Sequence, residues 1–273
     1  GKTTTGKAIL GLMPITAGEI HYRGQDITSL SPGEFRPLRR EIQMIFQDLD
    51  AALNPKMRIE SILREAVGLR EPQLDSDGLR RRTYELLELV NLKKNKLANF
   101  PSELSGGEKR RIGIARVLAV RPKLIVADEP TSALDVSIQA QVINLLRDLQ
   151  GQFGLSYLFI SHDLPLVELV SHRVAVMYLG QIVELGAAPR IANAPRHPYT
   201  SVLWSSLAEK RSREAVTGAA PAWGVFDFER PSGGCRFAPR CPVYAARGKP
   251  AACTDPHNAP RLRDIEADHA VAC

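Results

Sequence analysis

Leu104-Ser105-Gly106-Gly107-Glu108, Leu124-Ile125-Val126-Ala127-Asp128-Glu129-Pro130, Ser132-Ala133-Leu134-Asp135 and Ser161-His162-Asp163 follow one another within residues 104–163. The apolar run Leu124–Ala127 predicts a short strand buried on both faces, as in a parallel sheet. It delivers Asp128 and Glu129 at its carboxyl end, where open α/β sheets bind their ligands. Two adjacent carboxylates there suit a division of labour. One holds Mg²⁺, directly or through water, and the other orients an attacking water. Upstream, Ser105-Gly106-Gly107 stands where a helix begins, because Ile112, Ala115 and Leu118 follow at helical spacing. Such a start offers a hydroxyl, free backbone N–H groups and a positive dipole end, all suited to a phosphate. Leu155–Ile160 reads as a second buried strand, with His162 just beyond it. Alone, an Asp-Glu pair reads as solvated charge and His162 as an ordinary polar residue. The fixed order of four pieces in one stretch gives them the functional reading.

In that order the pieces resemble the signature, Walker B, D-loop and switch histidine of the ATPase subunit of ABC transporters. The resemblance implies an α/β fold: a P-loop ABC-type ATPase core with an inserted helical subdomain, followed here by a small Cys-rich C-terminal extension. It makes Asp128 the Mg²⁺-associated carboxylate, Glu129 the catalytic carboxylate and His162 the γ-phosphate contact. Asp135 would belong to the loop at the dimer interface, and Ser105, Gly106 and Gly107 would meet the ATP of the opposite subunit. Glu108 stands where glutamine is commoner, and Lys109, Arg110 and Arg111 are expected to offset its charge.

Gly1-Lys2-Thr3-Thr4 matches the closing half of the phosphate-binding pattern G-x-x-x-x-G-K-[ST]. The opening glycine, the preceding strand and an initiator Met are absent, which reads as a fragment whose N-terminus lies upstream. In the family reading Lys2 reaches the β/γ-phosphates and Thr3 ligates Mg²⁺, while Gly1 and Thr4 complete this remnant of the nucleotide-binding turn. Thr4 to Leu10 would start the helix, and the aromatic residue that stacks on adenine would lie upstream. Ala17–Ile20 and Tyr22–Ile27 alternate around glycine turns and predict a hairpin. Ile42–Phe46 predicts another strand ending at Gln47, which in the family opens the Q-loop, senses Mg²⁺ and contacts the membrane subunit. Gln43–Asp48 with Leu53-Asn54-Pro55 resembles the oligopeptide/dipeptide branch, although Leu49–Ala52 departs from it.

Ile59–Leu69 and Leu79–Leu92 show helical apolar spacing, with a loop over Pro72–Gly78 between them. Arg80-Arg81-Arg82 reads as a solvated helix face in preference to a nucleic-acid contact. This insertion matches the helical subdomain of ABC ATPases, which carries the signature. Ser137 is the expected N-cap of a helix over Ile138–Leu149. Arg173–Leu179 and Gln181–Leu185 predict two strands about Gly180. The expected domains are an ATPase core over 1–47 and 104–186, a helical subdomain over 48–103 and a C-terminal extension over 187–273.

The chain has 273 residues, is 44% apolar and carries a net charge of +6, compatible with nucleotide phosphates, an anionic membrane surface or nucleic acid. No apolar run approaches the ~18–20 residues that span a bilayer, nor does a signal peptide open the chain. The protein therefore reads as soluble, with membrane association through partners. His197-Pro198-Tyr199-Thr200 introduces a helix-like segment, and a polar linker follows from about Glu209 to Ala220. All 4 cysteines come after it, at C-x5-C-x11-C-x19-C spacing: Cys235, Cys241, Cys253 and Cys273. Disulfides do not suit a cytosolic ATPase, and a small appendage with little core calls for a metal staple. The pattern resembles the C-terminal extension of oligopeptide/dipeptide ABC ATPases, in which four cysteines hold a 4Fe–4S cluster. Zn²⁺ is the alternative, with His257 or His269 replacing a cysteine.

The resemblance implies an ATP- and Mg²⁺-dependent motor subunit of a di- or oligopeptide importer. Its partners would be permease subunits, a second ATPase subunit in a homo- or heterodimer and, indirectly, an extracytoplasmic substrate-binding protein. It would sit peripherally on the cytoplasmic face of a prokaryotic plasma membrane, with no nucleic-acid partner. A rival reading is a soluble ABC ATPase acting on nucleic acid through a zinc-bound, Arg-rich tail; against it, the tail lacks an aromatic stacking platform beyond Phe237 and Tyr244. A further one is an inactive fragment of a transporter ATPase.

Overall fold

The computed structural model describes residues 1–211, 233–257 and 259–273. Contacts divide the chain into two units, Thr3–Ser161 and Gly1–Lys2 with His162–Cys273. The first contains α1 (Lys2–Ile9) from Thr3 on, hairpin strands β1 (His21–Tyr22) and β2 (Gln25–Asp26), short helices α2 (Pro32–Phe35) and α3 (Leu38–Glu41), and β3 (Ile42–Ile45). Helices α4 (Leu49–Ala52), α5 (Ile59–Arg70), α6 (Ser76–Leu89) and α7 (Gly106–Ala119) separate β3 from β4 (Leu124–Asp128). Then α8 (Val136–Phe153) leads to β5 (Ser156–Ile160).

β4 lies between β3 and β5, parallel to both, with Ile42 opposite Leu124 and Leu124 opposite Ser156. Ile125, Val126 and Ala127 are each 0% exposed, as the uninterrupted apolar run requires. β5 is less buried than its sequence predicts. Ser156 is exposed and Tyr157–Phe159 are half-buried; among the described residues β5 pairs with β4 alone. α1 approaches the sheet at Gly6, where a Cβ would stand 3.0 Å from Val126 Cγ1 and 3.2 Å from Ile160 Cδ1. The helix begins at Lys2, earlier than the expected Thr4.

The hairpin forms with two-residue strands, shorter than expected, around Arg23-Gly24, whose φ of 52° and 82° suit a tight turn. α5 packs on both α6 and α7, burying Ile59, Ile62, Leu63 and Val67. Asp75 caps α6 by accepting from the Gly78 N–H at 2.7 Å, so the helix opens at Ser76 and shortens the expected loop. Arg80 and Arg81 are exposed, Arg80 pairing with Asp77 at 3.5 Å, whereas Arg82 departs from the expected solvated face: it is half-buried between Glu71 at 3.6 Å and Glu85 at 2.6 Å. The cap of α8 is Asp135, not Ser137: its carboxylate accepts from the Ile138 N–H at 3.0 Å, where the helix dipole also favours negative charge. The helix buries Val142, Leu145, Leu146 and Leu149 and ends at left-handed Gly154.

The second unit comprises α9 (Leu164–Val170), β6 (Arg173–Tyr178), β7 (Gln181–Ala187), α10 (Ala188–Asn193), α11 (Pro198–Arg211), α12 (Pro242–Ala246), β8 (Arg263–Glu266) and β9 (His269–Val271). Of the expected linker, residues 212–220 lie outside the described residues. The antiparallel sheet runs β6-β7-β9-β8, so strands from either side of Gly186 share it. Glu184 on β7 is 0% exposed and ties the tail down. It accepts from the backbone N–H groups of Arg196 at 2.7 Å and His197 at 2.9 Å, and it bonds His269 Nε2 at 2.7 Å. That bond occupies Nε2 and leaves His269 Nδ1 buried without a hydrogen-bond partner; among the described residues no group of three donors that includes it surrounds a metal ion. Phe237 is 1% exposed, its ring 5.2 Å from Tyr178 and 5.5 Å from Tyr199, so it offers no stacking face to a nucleic acid. No helix among the described residues is long and apolar enough to cross a membrane.

Candidate active site at the carboxyl end of β4

β4 carries Asp128 to its carboxyl end, where the side chain is 1% exposed and accepts a hydrogen bond from Thr3 Oγ1 at 3.2 Å. A buried carboxylate facing one neutral donor is under-compensated. The hydroxyl and the carboxylate together supply the hard oxygen ligands that Mg²⁺ takes. The chain then turns at Glu129 with φ of 46°, a left-handed conformation that costs a non-glycine residue about 1–3 kcal/mol. Three hydrogen bonds hold it there. The Glu129 N–H donates to Ile160 O at 2.9 Å, and Glu129 O accepts from Ser132 N at 3.1 Å and Ser132 Oγ at 3.0 Å. Gln47, just past β3, donates from Nε2 to Glu129 Oε2 at 2.9 Å. Thr3, Gln47, Asp128 and Glu129 thus form two hydrogen-bonded pairs joined through the neighbours Asp128 and Glu129.

Ser105 caps α7 through a reciprocal box: Glu108 N donates to Ser105 Oγ at 3.3 Å and Ser105 N donates to Glu108 Oε2 at 3.0 Å. Lys96 Nζ stands 2.8 Å from Glu108 Oε1. That bond, with the Ser105 N–H, holds the carboxyl below its ordinary range. The charge of Glu108 is therefore offset by Lys96, which corrects the role expected for Arg110 and Arg111. Arg111 turns away to Val90 O and Gln141. Arg110 is 4% exposed; it donates from Nη1 to Phe46 O at 2.9 Å and from Nη2 to Gln47 O at 3.3 Å and Ser132 O at 3.4 Å. One guanidinium on α7 thus clamps the segment before Glu129's partner Gln47 and the segment after Glu129. Burial pulls this guanidinium below its ordinary pKa, and its Nε has no partner. Gly106 and Gly107 face the chain after Glu129. A Cβ on Gly106 would meet Leu134 at 3.6 Å, and one on Gly107 would meet Ile138 Cγ2 at 2.8 Å.

Other expected site residues are placed elsewhere. Asp135 caps α8, and Thr4 is exposed on α1. Gly1, Lys2 and His162 belong to the second unit. There a Cβ on Gly1 would stand 2.8 Å from Met177 Sδ. His162 is exposed and precedes Asp163, which caps α9 by accepting from Leu166 N at 3.1 Å.

The four cysteines are free thiols. Cys235 and Cys241 pack against the core around Tyr178 and Phe237. Cys235 N donates to Cys253 O at 2.8 Å, and Tyr244 N donates to Cys241 Sγ at 3.4 Å. Burial pushes the Cys235 thiol up, against N–H donors at Phe237 and Ala238, and Cys253 and Cys241 push it further. The Cys273 thiol, exposed by surface area, is raised by desolvation and then by Cys235, Cys241 and Cys253. Among the described residues no three His, Cys, Asp or Glu groups close on a point that would hold a single metal ion.

Comparison with known proteins agrees with this geometry. Residues 1–132 match the family model described as ABC transporter, and residues 183–247 match the C-terminal region of oligopeptide/dipeptide transporters. The chain is 51% identical over 212 residues to the dipeptide transport ATP-binding protein DppF of Lactococcus lactis, covering 76% of this chain and 67% of that protein. It is 42% identical over 278 residues to a putative peptide import ATP-binding protein of Brucella ovis, covering 100% of this chain and 84% of that one. The chain belongs to the ATP-binding subunits of ABC transporters. Solved ABC cassettes share the fold of this ABC ATPase. A dimeric cassette in a post-hydrolysis state with ADP and phosphate aligns at TM-score 0.62 and 26% identity, covering 69% of this chain and 81% of that one. A Clostridium perfringens cassette from the cbiONQ transporter complex aligns at TM-score 0.63 and 26% identity, covering 77% and 80%. As an ABC ATPase the chain binds and hydrolyses ATP, and the pairs around Asp128 and Glu129 lie where the fold binds ligands.

Proposed function

We propose that the chain is the ATP-hydrolysing motor subunit of an importer for di- or oligopeptides. The observation that carries the catalytic part is the joined pair of hydrogen bonds Thr3–Asp128 and Gln47–Glu129 at the carboxyl ends of parallel strands. The peptide part is supported by the relatives named for dipeptide transport and peptide import and by the matched C-terminal region.

In this reading Thr3, Asp128 and Gln47 hold Mg²⁺, which neutralises phosphate charge, while Lys2 and the Gly1–Thr4 turn hold the phosphates. Glu129 orients and deprotonates the attacking water, and Gln47 keeps its carboxylate aimed; His162 contacts the γ-phosphate. Ser105, Gly106 and Gly107 complete the site of a second ATPase subunit, alike or related, with Asp135 at the shared face. Residues 1–47 and 104–186 act as the ATPase core, 48–103 as the helical subdomain and 187–273 as the extension. ATP binds the closed dimer better than the open one, and that difference turns the permease subunits. An extracytoplasmic protein delivers the peptide, and this subunit works from the cytoplasmic membrane face.

We also assign a 4Fe–4S cluster to Cys235, Cys241, Cys253 and Cys273. The support is the match of residues 183–247 to the C-terminal region of oligopeptide/dipeptide transporters and the N–H donors on the sulfurs of Cys235 and Cys241. The cluster would be a structural staple on the extension. Anaerobic purification followed by iron, sulfide and zinc assays tests it: four irons per chain are expected, and zinc without iron overturns it.

The transport reading is tested by uptake of labelled di- and oligopeptides in cells lacking the gene, complemented with the wild-type gene or with Glu129→Gln. Peptide uptake restored by the wild type and not by Glu129→Gln is expected. Equal uptake from both genes, in cells that express and localise both, overturns it.

A further inference from the structure

Far from Asp128, at the amino ends of β3 and β4, the first unit has a half-open cavity of about 480 Å³ lined by Arg36, Arg40, Arg70, Arg121, Lys123 and Glu41, with Gly33 and Pro37 as backbone wall. β4 alone places roughly 15 Å of strand between this cavity and the candidate active site. The lining carries five cations and one carboxylate. That carboxylate is already engaged from outside the wall: Glu41 Oε2 accepts from Tyr22 Oη at 3.1 Å and Arg23 Nη1 at 3.3 Å. Arg121 is paired with Glu71 at 2.9 Å. Arg36, Arg40, Arg70 and Lys123 have no ion pair among the described residues; Arg39, Arg58 and Arg81 of the same unit have none either, and what distinguishes the first four is that they line one hollow. Arg70 in the last turn of α5 and Arg121 just past α7 complement helix dipoles. Arg36 is the C-cap of α2 and Arg40 lies in the last turn of α3, each a helix of a single turn, and Lys123 lies between α7 and β4. The five cations are exposed at the rim and wall of one hollow, and their like charges sum to a positive potential that attracts an anion.

We infer that this cavity is a second anion site, separate from the hydrolytic one, that takes a phosphate-bearing ligand carrying several negative charges. Guanidinium forks match phosphate oxygens in pairs, whereas a single carboxylate would leave most of the cations uncompensated. The volume suits a small molecule. The lining has no aromatic ring, so the phosphate end is what the site reads. The same chemistry is presented by a soluble di- or triphosphate and by the headgroup of an anionic lipid.

Two arms distinguish these sources. Inorganic pyrophosphate is titrated calorimetrically into the Glu129→Gln chain saturated with Mg-ATP, with and without Arg36→Ser/Arg40→Ser. In parallel, phosphatidylglycerol vesicles, with phosphatidylcholine vesicles as the blank, are sedimented with the same chains. The expected result is an affinity at least tenfold weaker in the arginine variant in one arm. Loss in the pyrophosphate arm assigns a soluble ligand, and loss in the vesicle arm alone assigns a lipid headgroup; both support the site. Lys123→Gln, a single exposed change, repeats the comparison should the double variant unfold. Equal behaviour of variant and parent in both arms overturns the inference. The inference does not rest on the import reading. Failure of the hydrolytic site would show separately, as absent ATP binding in a chain whose pyrophosphate binding still depends on Arg36 and Arg40.

Discussion

Replacing Arg110 with methionine removes the one side chain that bonds Phe46 O, Gln47 O and Ser132 O together. The bond to Phe46 O is short, at 2.9 Å, and the other two are long, at 3.3 and 3.4 Å. A hydrogen bond to a charged group contributes about 1.5–3 kcal/mol, so the positioning that the clamp supplies is taken as that of its one short bond, at the low end of this range. Against that stands a guanidinium that is 4% exposed and has an unpartnered Nε. Exchanging such a buried charge for an apolar chain of similar length is often neutral or stabilising. The two effects separate stability from rate. Arg110→Met should leave the unfolding free energy within about 1 kcal/mol of wild type. The loops carrying Gln47 and following Glu129 lose about 1.5 kcal/mol of positioning, so kcat for ATP hydrolysis should fall about tenfold. Steady-state phosphate release and urea unfolding, measured on the same preparation, read both. The reasoning is refuted by a kcat within twofold of wild type at unchanged stability. It is refuted equally by a stability loss large enough to account for the rate.

Gly107→Ala should cost about 1–3 kcal/mol in urea unfolding, because its Cβ would stand 2.8 Å from the branched Cγ2 of Ile138 on α8. Glu108, held below the ordinary carboxylate range by Lys96 and then the Ser105 N–H, lends stability that is complete above that range. That stability is lost as the pH falls through the depressed folded value, so Glu108→Gln should flatten the acid limb of a stability-against-pH curve. Glu184→Gln weakens a buried acceptor of three bonds and should loosen β9, about 3 kcal/mol of destabilisation, read as faster proteolysis within residues 263–273.

The parallel sheet was legible because burial on both faces leaves no alternation in Leu124–Ala127, and because carboxylates stand at its end. The α7 start was legible because Ile112, Ala115 and Leu118 follow Ser105-Gly106-Gly107 at helical spacing. The clamp by Arg110 was not read, since Lys109, Arg110 and Arg111 were taken together as offsetting the charge of Glu108. The signal was present: Arg110 lies on the helical face of Gly113, Ile114 and Val117, all buried. Asp135 was read as an interface residue and Ser137 as the cap; the capping competence of Asp135 was missed because its loop role came first. The partnership of Glu184 with His269 joins residues 85 positions apart and has no local signature. The same holds for the cation-lined cavity, which three separate segments of the chain assemble.

Transport by the assembled complex tests the central claim most directly. The complex, purified through a tag on this chain and sealed into proteoliposomes with ATP inside, is supplied with its binding protein and a labelled dipeptide. Peptide should accumulate in step with phosphate release, and Glu129→Gln should abolish both while still binding ATP. Phosphate release without peptide entry, or entry that persists in Glu129→Gln, would contradict the account.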